Sequence, residues 1–256
     1  MPDSLDAKRA GADGLVYSLY QREPESLSML SPARRRGAHW VPDAGKLTSH
    51  ECAAPLRPLL HWWQRGCGRQ LVHGGAVGTD AGAVLLAGPS GAGKSTCALA
   101  CLLGGLDYLG DDYVLLDTES EPSVHCVYSS AKLNPDHVGI VPALVPLITN
   151  PGQLGTEKAL WFLHAHHPRQ IRRRLPLRAV LVPRVGRGPE CRIERISTAS
   201  ALLALAPSTI VQLRGAPDAA LEWMARCLAR LSCYRLDLGR EPASVADAVR
   251  EVLARC

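Results

Sequence analysis

The sequence predicts an α/β fold in which a mixed sheet is flanked by helices, with a small N-terminal region over residues 1–65 and one larger domain over 66–256. Three observations predict it. The run Gly88-Pro89-Ser90-Gly91-Ala92-Gly93-Lys94-Ser95 fits GxxxxGK[ST], with an apolar strand-like run at 83–87 before it and a helix-compatible stretch at 96–103 after it. Short apolar runs at 106–109, 113–116 and 124–128 then follow with turns rather than helices between them, the pattern of a mixed rather than purely parallel sheet. Toward the C-terminus, helical stripes (Leu221, Met224, Leu228 and Leu231, then Val245, Val249 and Val252) enclose the period-two run Tyr234, Leu236, Leu238.

In chain order, residues 1–65 combine Arg34-Arg35-Arg36, several prolines and a mixed polar run. They predict a loosely built segment with one or two short strands, the best at 15–20, closed by a helix carrying Leu59, Leu60, Trp62 and Trp63. Those tryptophans either pack in a core or stack on a base or peptide. The runs 71–77 and 83–87 are separated by a hairpin-like turn at 78–82, and the helix after the glycine loop stops at Gly104-Gly105. Residues 152–176 hold Glu157, Lys158, His164, His166, His167 and the triplet Arg172-Arg173-Arg174 with no sustained apolar period, which predicts a mobile loop. Runs 177–184 and 192–196 read as a strand pair joined across 186–189, and Ser197 caps a helix running through Leu205. The C-terminal third reads as scaffold.

Composition narrows the class. With 256 residues, 46% hydrophobic and 21% charged, the chain suits one good-sized core. No apolar run approaches the roughly 20 residues that span a bilayer, and the first residues, MPDSLDAKRA, lack the hydrophobic stretch of a signal peptide. The expectation is a cytoplasmic protein with no membrane partner. Nine cysteines show no CxxC spacing; Cys97 and Cys101, four apart, suit core packing on one helix. The net charge of +5 calls for no nucleic-acid partner, and no DNA-binding motif is present.

The glycine loop carries the chemistry. Its glycines let successive N–H groups converge on one anion, and a helix beginning near Lys94 adds its positive end. Lys94 would reach the β and γ phosphates and the Ser95 hydroxyl would sit on Mg²⁺, so ATP and Mg²⁺ are the expected cofactors. Asp111 and Asp112 lie at a strand end only seventeen positions after Lys94. Two such carboxylates can divide labour, one holding the metal and the other orienting or deprotonating an attacking hydroxyl; a solvated turn is the plainer alternative. Lys132 suits a phosphate or an acceptor carboxylate, or is a lone surface lysine. His164, His166 and His167 have no neighbouring carboxylate or cysteine to complete a metal site. Arg172, Arg173 and Arg174 suit a γ-phosphate or an acidic peptide, or form a solvated basic loop.

His73-Gly74, the strand at 83–87, GPSGAGKST, the short helix and GDDYVLL, taken together, resemble the core of bacterial HPr serine kinase/phosphorylases. The resemblance is strong over 71–117. It continues weakly through SSAKLNPDHV, TEKAL, PLRAVLVPR and YRLDLGREPASVADAV, which look like smaller HPr-kinase-like proteins, some of which accompany lasso-peptide biosynthesis and phosphorylate a precursor's C-terminal serine. The chain departs from the true HPr kinases at Thr96, where they usually have Glu, and it lacks their glutamate-containing second signature and their N-terminal domain.

The resemblance implies an HPr-kinase-like P-loop core and an ATP-dependent serine kinase acting on a peptide or protein. Gly88, Ser90, Gly91, Ala92, Gly93, Lys94, Ser95 and Thr96 would bind nucleotide, with His73 near the phosphates or the acceptor hydroxyl unless it is a strand histidine bonded to backbone. By position in the motif Asp111 is the base and Asp112, with Ser95, the metal-side residue. A homo-oligomer is a further expectation. Competing readings are a small-molecule kinase and a non-catalytic ATP-binding regulator.

Overall fold

The structure, a computed structural model, describes residues 4–11, 14–186, 188–214, 217–239 and 241–256. Of the turn at 186–189, Arg187 lies outside the described residues, as do the first three positions of the N-terminal region.

The N-terminal region is more regular than its composition suggests. Strands β1 (Ser4–Gly11), β2 (Gly14–Arg22), β3 (Glu25–Ser31) and β4 (Arg36–Trp40) form an antiparallel meander in that order, where the sequence predicts one or two strands. The buried positions of β3 are Ser26, Ser28 and Leu30, so serines occupy most of its inward face and mask the period-two signal. Helices α1 (Ser49–Ala53) and α2 (Arg57–Gly66) follow. Trp62 of α2 stacks on Tyr17 with ring centroids 5.6 Å apart and packs with Leu19 and Leu30, while Trp63 is half-buried in the same cluster. Both tryptophans are packing residues.

The mixed sheet flanked by helices is present, with nine strands. Its path is β5 (Gln70–His73), β9 (Tyr113–Asp117), β10 (Ser123–Cys126), β13 (Arg174–Val185), β7 (Gly82–Leu86), β6 (Gly75–Thr79) and β8 (Asp107–Gly110); β15 (Ser232–Leu238) lies parallel to β13 and carries β14 (Arg192–Arg195) on its far edge. Among the described strand pairs only those of β13 with β7 and with β15 are parallel, beside one isolated parallel bridge from Tyr108 to Ile171. Two corrections follow. The apolar run 71–77 is two strands, broken at Gly74, that pair with different neighbours. The segment 192–196 pairs with β15 rather than with 177–184, because β15 returns between them.

Side chains alternating along β7 divide the core. Val84 and Leu86 face α3 (Lys94–Leu103) and α6 (Pro242–Ala254), and Ala83 and Leu85 face α4 (Thr198–Gln212) and α5 (Pro217–Leu228). Cys97 and Cys101 of α3 are buried in the first of these layers. Ser197 accepts from the Ser200 N–H as the cap of α4, but the helix runs seven residues beyond Leu205, through Pro207. Pro207 and Leu203 are exposed, so the carbonyl that the proline leaves without a donor can be hydrated.

Residues 152–176 are not a loop. Within them β12 (Ala159–Phe162) pairs with β11 (Ser130–Leu133), buries Trp161 and donates its indole N–H to Leu144 O at 2.8 Å. The described residues contain no helix long and apolar enough to cross a membrane.

Candidate functional site

β7 ends in the glycine loop and α3 rises from it, so the loop amides gather where the helix begins. Gly93, just before α3, has φ 100°, and a Cβ there would sit 2.5 Å from Leu238 Cδ1, so backbone and packing both require glycine. The Lys94 ammonium donates to the carbonyls of Gly88 at 2.7 Å and Pro89 at 3.0 Å. Burial pulls Lys94 below the ordinary lysine range; Asp111 and Asp112 act against that shift and Lys158 adds to it. Ser90, Gly91, Gly93, Lys94, Ser95 and Thr96 line one wall of a cavity of about 810 Å³. Gly88 and Ala92 shape the loop without lining it, Ala92 N–H donating to Pro89 O at 3.2 Å.

The aspartates leave the end of β8 toward different surroundings. Asp111 is buried beneath the cavity: Oδ2 accepts from the Lys132 backbone N–H at 2.9 Å, the Ser95 hydroxyl approaches the same carboxyl, and Oδ1 has no hydrogen-bond partner among the described residues. Burial, with Asp112 beside it, raises its pKa to about 6 against those two donors. Asp112 lines the cavity. Its Oδ2 lies 2.6 Å from Lys132 Nζ and its Oδ1 3.6 Å from His73 Nε2. Burial works to raise this carboxyl, but His73 and Lys132 together hold it far below the usual carboxylate range.

Gly74 brings His73 to this pair. Its N–H donates to Asp112 O at 3.0 Å, and a Cβ at Gly74 would lie 2.8 Å from Leu86 O. Around Asp112 the polar groups then close a ring. Lys132 Nζ is 2.6 Å from His50 Nδ1; Arg57 contacts His50 Nε2 and donates to the Tyr113 hydroxyl at 3.0 Å; Tyr113 donates to Gln212 Oε1; and Gln212 Nε2 lies 3.5 Å from His73 Nδ1. Burial, then Lys132 and Arg57, lower the His50 pKa to about 4.

Lys132 is thus a buried, paired residue and not a lone surface lysine. The arginine triplet is elsewhere. Arg172 pairs with Asp107 at 2.8 Å and with Asp80, at the end of the β6–β7 hairpin away from the glycine loop, roughly 13 Å along the strands. Arg173 offers its carbonyl to Cys126 N–H at 3.0 Å, and Arg174 lies exposed opposite His125. None of the three lines the cavity. His167 Nδ1 lies 3.0 Å from Gln170 Oε1, and no group of three potential metal ligands occurs among the described residues.

The sequence reading missed His50, Lys158 and Gln212, all in the cavity wall. His50 lies within a capping box that was legible: Thr48 accepts from Glu51 N–H and the Glu51 carboxylate accepts from Thr48 N–H. Gln212 carries no local signal, because it comes from the part of α4 beyond Pro207.

The site suits nucleotide and a divalent ion. The unpartnered Asp111 Oδ1, on the carboxyl that the Ser95 side chain approaches, offers a hard oxygen to a cation, which needs only one or two protein ligands when phosphates and water supply the rest. The convergent loop amides and Lys94 suit phosphate.

No protein-family model matches the chain, and no curated protein matches it. Among solved structures, the HPr(Ser) kinase/phosphatase from Coxiella burnetii is similar at a TM-score of 0.37 and 15% identity, over 73% of this chain and 94% of that one. At that TM-score the likeness says nothing about activity.

Proposed function

We propose that this chain is an ATP-dependent phosphotransferase whose acceptor is a serine hydroxyl on a peptide or protein. The observation that carries the reading is the division of the buried aspartate pair, one carboxylate beside Ser95 and the other in the cavity wall. The loop amides and Lys94 hold the phosphates, and bound Mg²⁺ would neutralise their charge. Ser95 and Asp111 are the residues suited to the ion, and Asp112 is the residue suited to the acceptor. This reverses the order that the motif position implies, because Asp112 and not Asp111 borders the cavity.

Lys132 and His73 keep Asp112 ionised and aimed. A carboxylate held so acidic orients the acceptor hydroxyl and takes its proton late, when transfer has already made that proton acidic. The C-terminal serine of a lasso precursor is the specific acceptor suggested by the sequence resemblance. A small-molecule hydroxyl is the second reading, favoured by the separation of the arginine triplet from the cavity.

The test combines nucleotide binding by calorimetry with intact mass of serine-terminated peptides and a small-molecule panel after incubation with ATP and Mg²⁺. Asp112→Asn should retain MgATP binding and lose transfer by about 10²-fold or more, as removal of an acid–base group does. Asp111→Asn should weaken Mg²⁺-dependent binding itself. The opposite pattern would restore the order implied by the motif, and absence of nucleotide binding by the native chain would sink the whole reading.

A further inference from the structure

We propose that Lys158 is a second cation for the terminal phosphate, reaching across the cavity from Lys94 to the γ-phosphoryl oxygens of the bound nucleotide. The inference rests on the cavity being the nucleotide site.

The β11–β12 hairpin brings two lysines to one cavity. Leu133 pairs with Ala159 and Lys132 with Leu160, so Lys158, just before β12, lies beside the end of β11. Both lysines line the wall that also holds Lys94, Ser95 and Asp112. Their circumstances differ. The Lys132 ammonium is engaged by Asp112 and His50, each at 2.6 Å. The Lys158 ammonium has no hydrogen bond or ion pair among the described residues.

The nearest carboxylate in sequence does not serve it, since Glu157 Oε2 accepts from Ser49 N–H at 2.6 Å. Only the Lys158 backbone is tied down, its carbonyl accepting from Asn150 Nδ2 at 2.9 Å. A fixed backbone with an uncommitted cationic tip suits a ligand that arrives with its own negative charge. The cavity wall runs from the loop residues Lys94 and Ser95 to Asp112 and His50, and Lys158 lines it with both; its charge opposes protonation of both Lys94 and His50. A terminal phosphate held by the loop and turned toward Asp112 would come within its reach. An α- or β-phosphate, nearer the loop amides, would gain less from it.

The experiment needs no knowledge of the acceptor. MgATP and MgADP are titrated calorimetrically against the native chain, Lys158→Met and Lys158→Arg, with thermal melts to compare folding. Lys158 is exposed, so the variants should melt as the native chain does. Loss of one charge-assisted contact predicts about a tenfold to hundredfold weaker ATP affinity in Lys158→Met, unchanged ADP affinity, and substantial recovery in Lys158→Arg.

Equal weakening of ATP and ADP, or no change in either, overturns the proposal while leaving the nucleotide site intact. So does a Met variant that binds both nucleotides normally and differs only in KM for an acceptor. That result would assign Lys158 to the acceptor through the smaller cavity that it shares with Asn134 and Asp136. A native chain that binds neither nucleotide removes the site reading and this inference together.

Discussion

Replacing Lys132 by methionine tests how the Asp112 side of the cavity is held. The substitution keeps most of the buried aliphatic stem and removes the ammonium 2.6 Å from Asp112 Oδ2. The lysine side chain is 6% exposed and Asp112 24%, so the pair is largely out of water. Removing one partner of a buried pair costs 3–5 kcal/mol; because Asp112 keeps some access to the cavity and His73 at 3.6 Å, about 3 kcal/mol is expected. In a chain of 256 residues that is a fall in Tm of roughly 6–12 °C. Urea titrations of Lys132→Met, Asp112→Asn and the double variant measure the coupling. The double variant should be more stable than the sum of the single losses by about 2 kcal/mol. The His50 ring should also titrate above its present value near 4 once Lys132 no longer opposes its protonation. Strict additivity, or a loss below about 1 kcal/mol in Lys132→Met, would falsify the account of Asp112 as a carboxylate held by this lysine.

Two further outcomes follow from charges away from that pair. His61 of α2 is buried with neither ring nitrogen bonded among the described residues, and burial followed by Arg65 lowers its pKa to about 3. Between pH 6 and 4 the unfolded chain takes up this proton and the folded chain does not, so its share of stability falls with pH. His50 acts in the same direction, whereas Asp111, raised to about 6, takes up its proton in the folded state and opposes one of them. Across that window His61→Leu should therefore remove a slope of about 1.4 kcal/mol per pH unit, measured by denaturant titration at several pH values, and an unchanged slope would contradict the buried neutral ring. Arg172→Ala, at an exposed ion pair, should cost no more than about 1 kcal/mol and leave nucleotide affinity and transfer unchanged; a large loss of either would return the basic segment to the site.

What was legible in the sequence is what is local. The stretch from the strand at 83–87 through the glycine loop and α3 to the aspartate pair is continuous in both sequence and space, and its turn, helix and strand signals reinforce one another. The failures have physical causes. The β14 segment pairs with β15, forty-one residues away in the register Glu194 to Arg235, and no periodicity in either run names its partner. The meander was hidden by inward serines, and β12 by flanking histidines and arginines that outweigh its four residues in any window. Lys132 looked like an isolated cation because its partners come from the bend after β8 and from α1.

Two identical neighbours can take different roles because of how the chain leaves β8. Both lie in the bend between β8 and β9, where Asp111 turns inward toward the Lys132 amide and Asp112 turns into the cavity. The surroundings then separate their pKa values, one raised to about 6 and the other driven far down. The second environment is not supplied by the phosphate-loop core alone. His50 and Arg57, on α1 and α2, complete the ring around Asp112, and the amide of Ser49 is anchored by Glu157 beside Lys158. Helix α1 after the N-terminal meander therefore forms part of the cavity wall, and variation near residues 48–57 bears on the surroundings of Asp112 as directly as variation in the loop bears on those of Lys94.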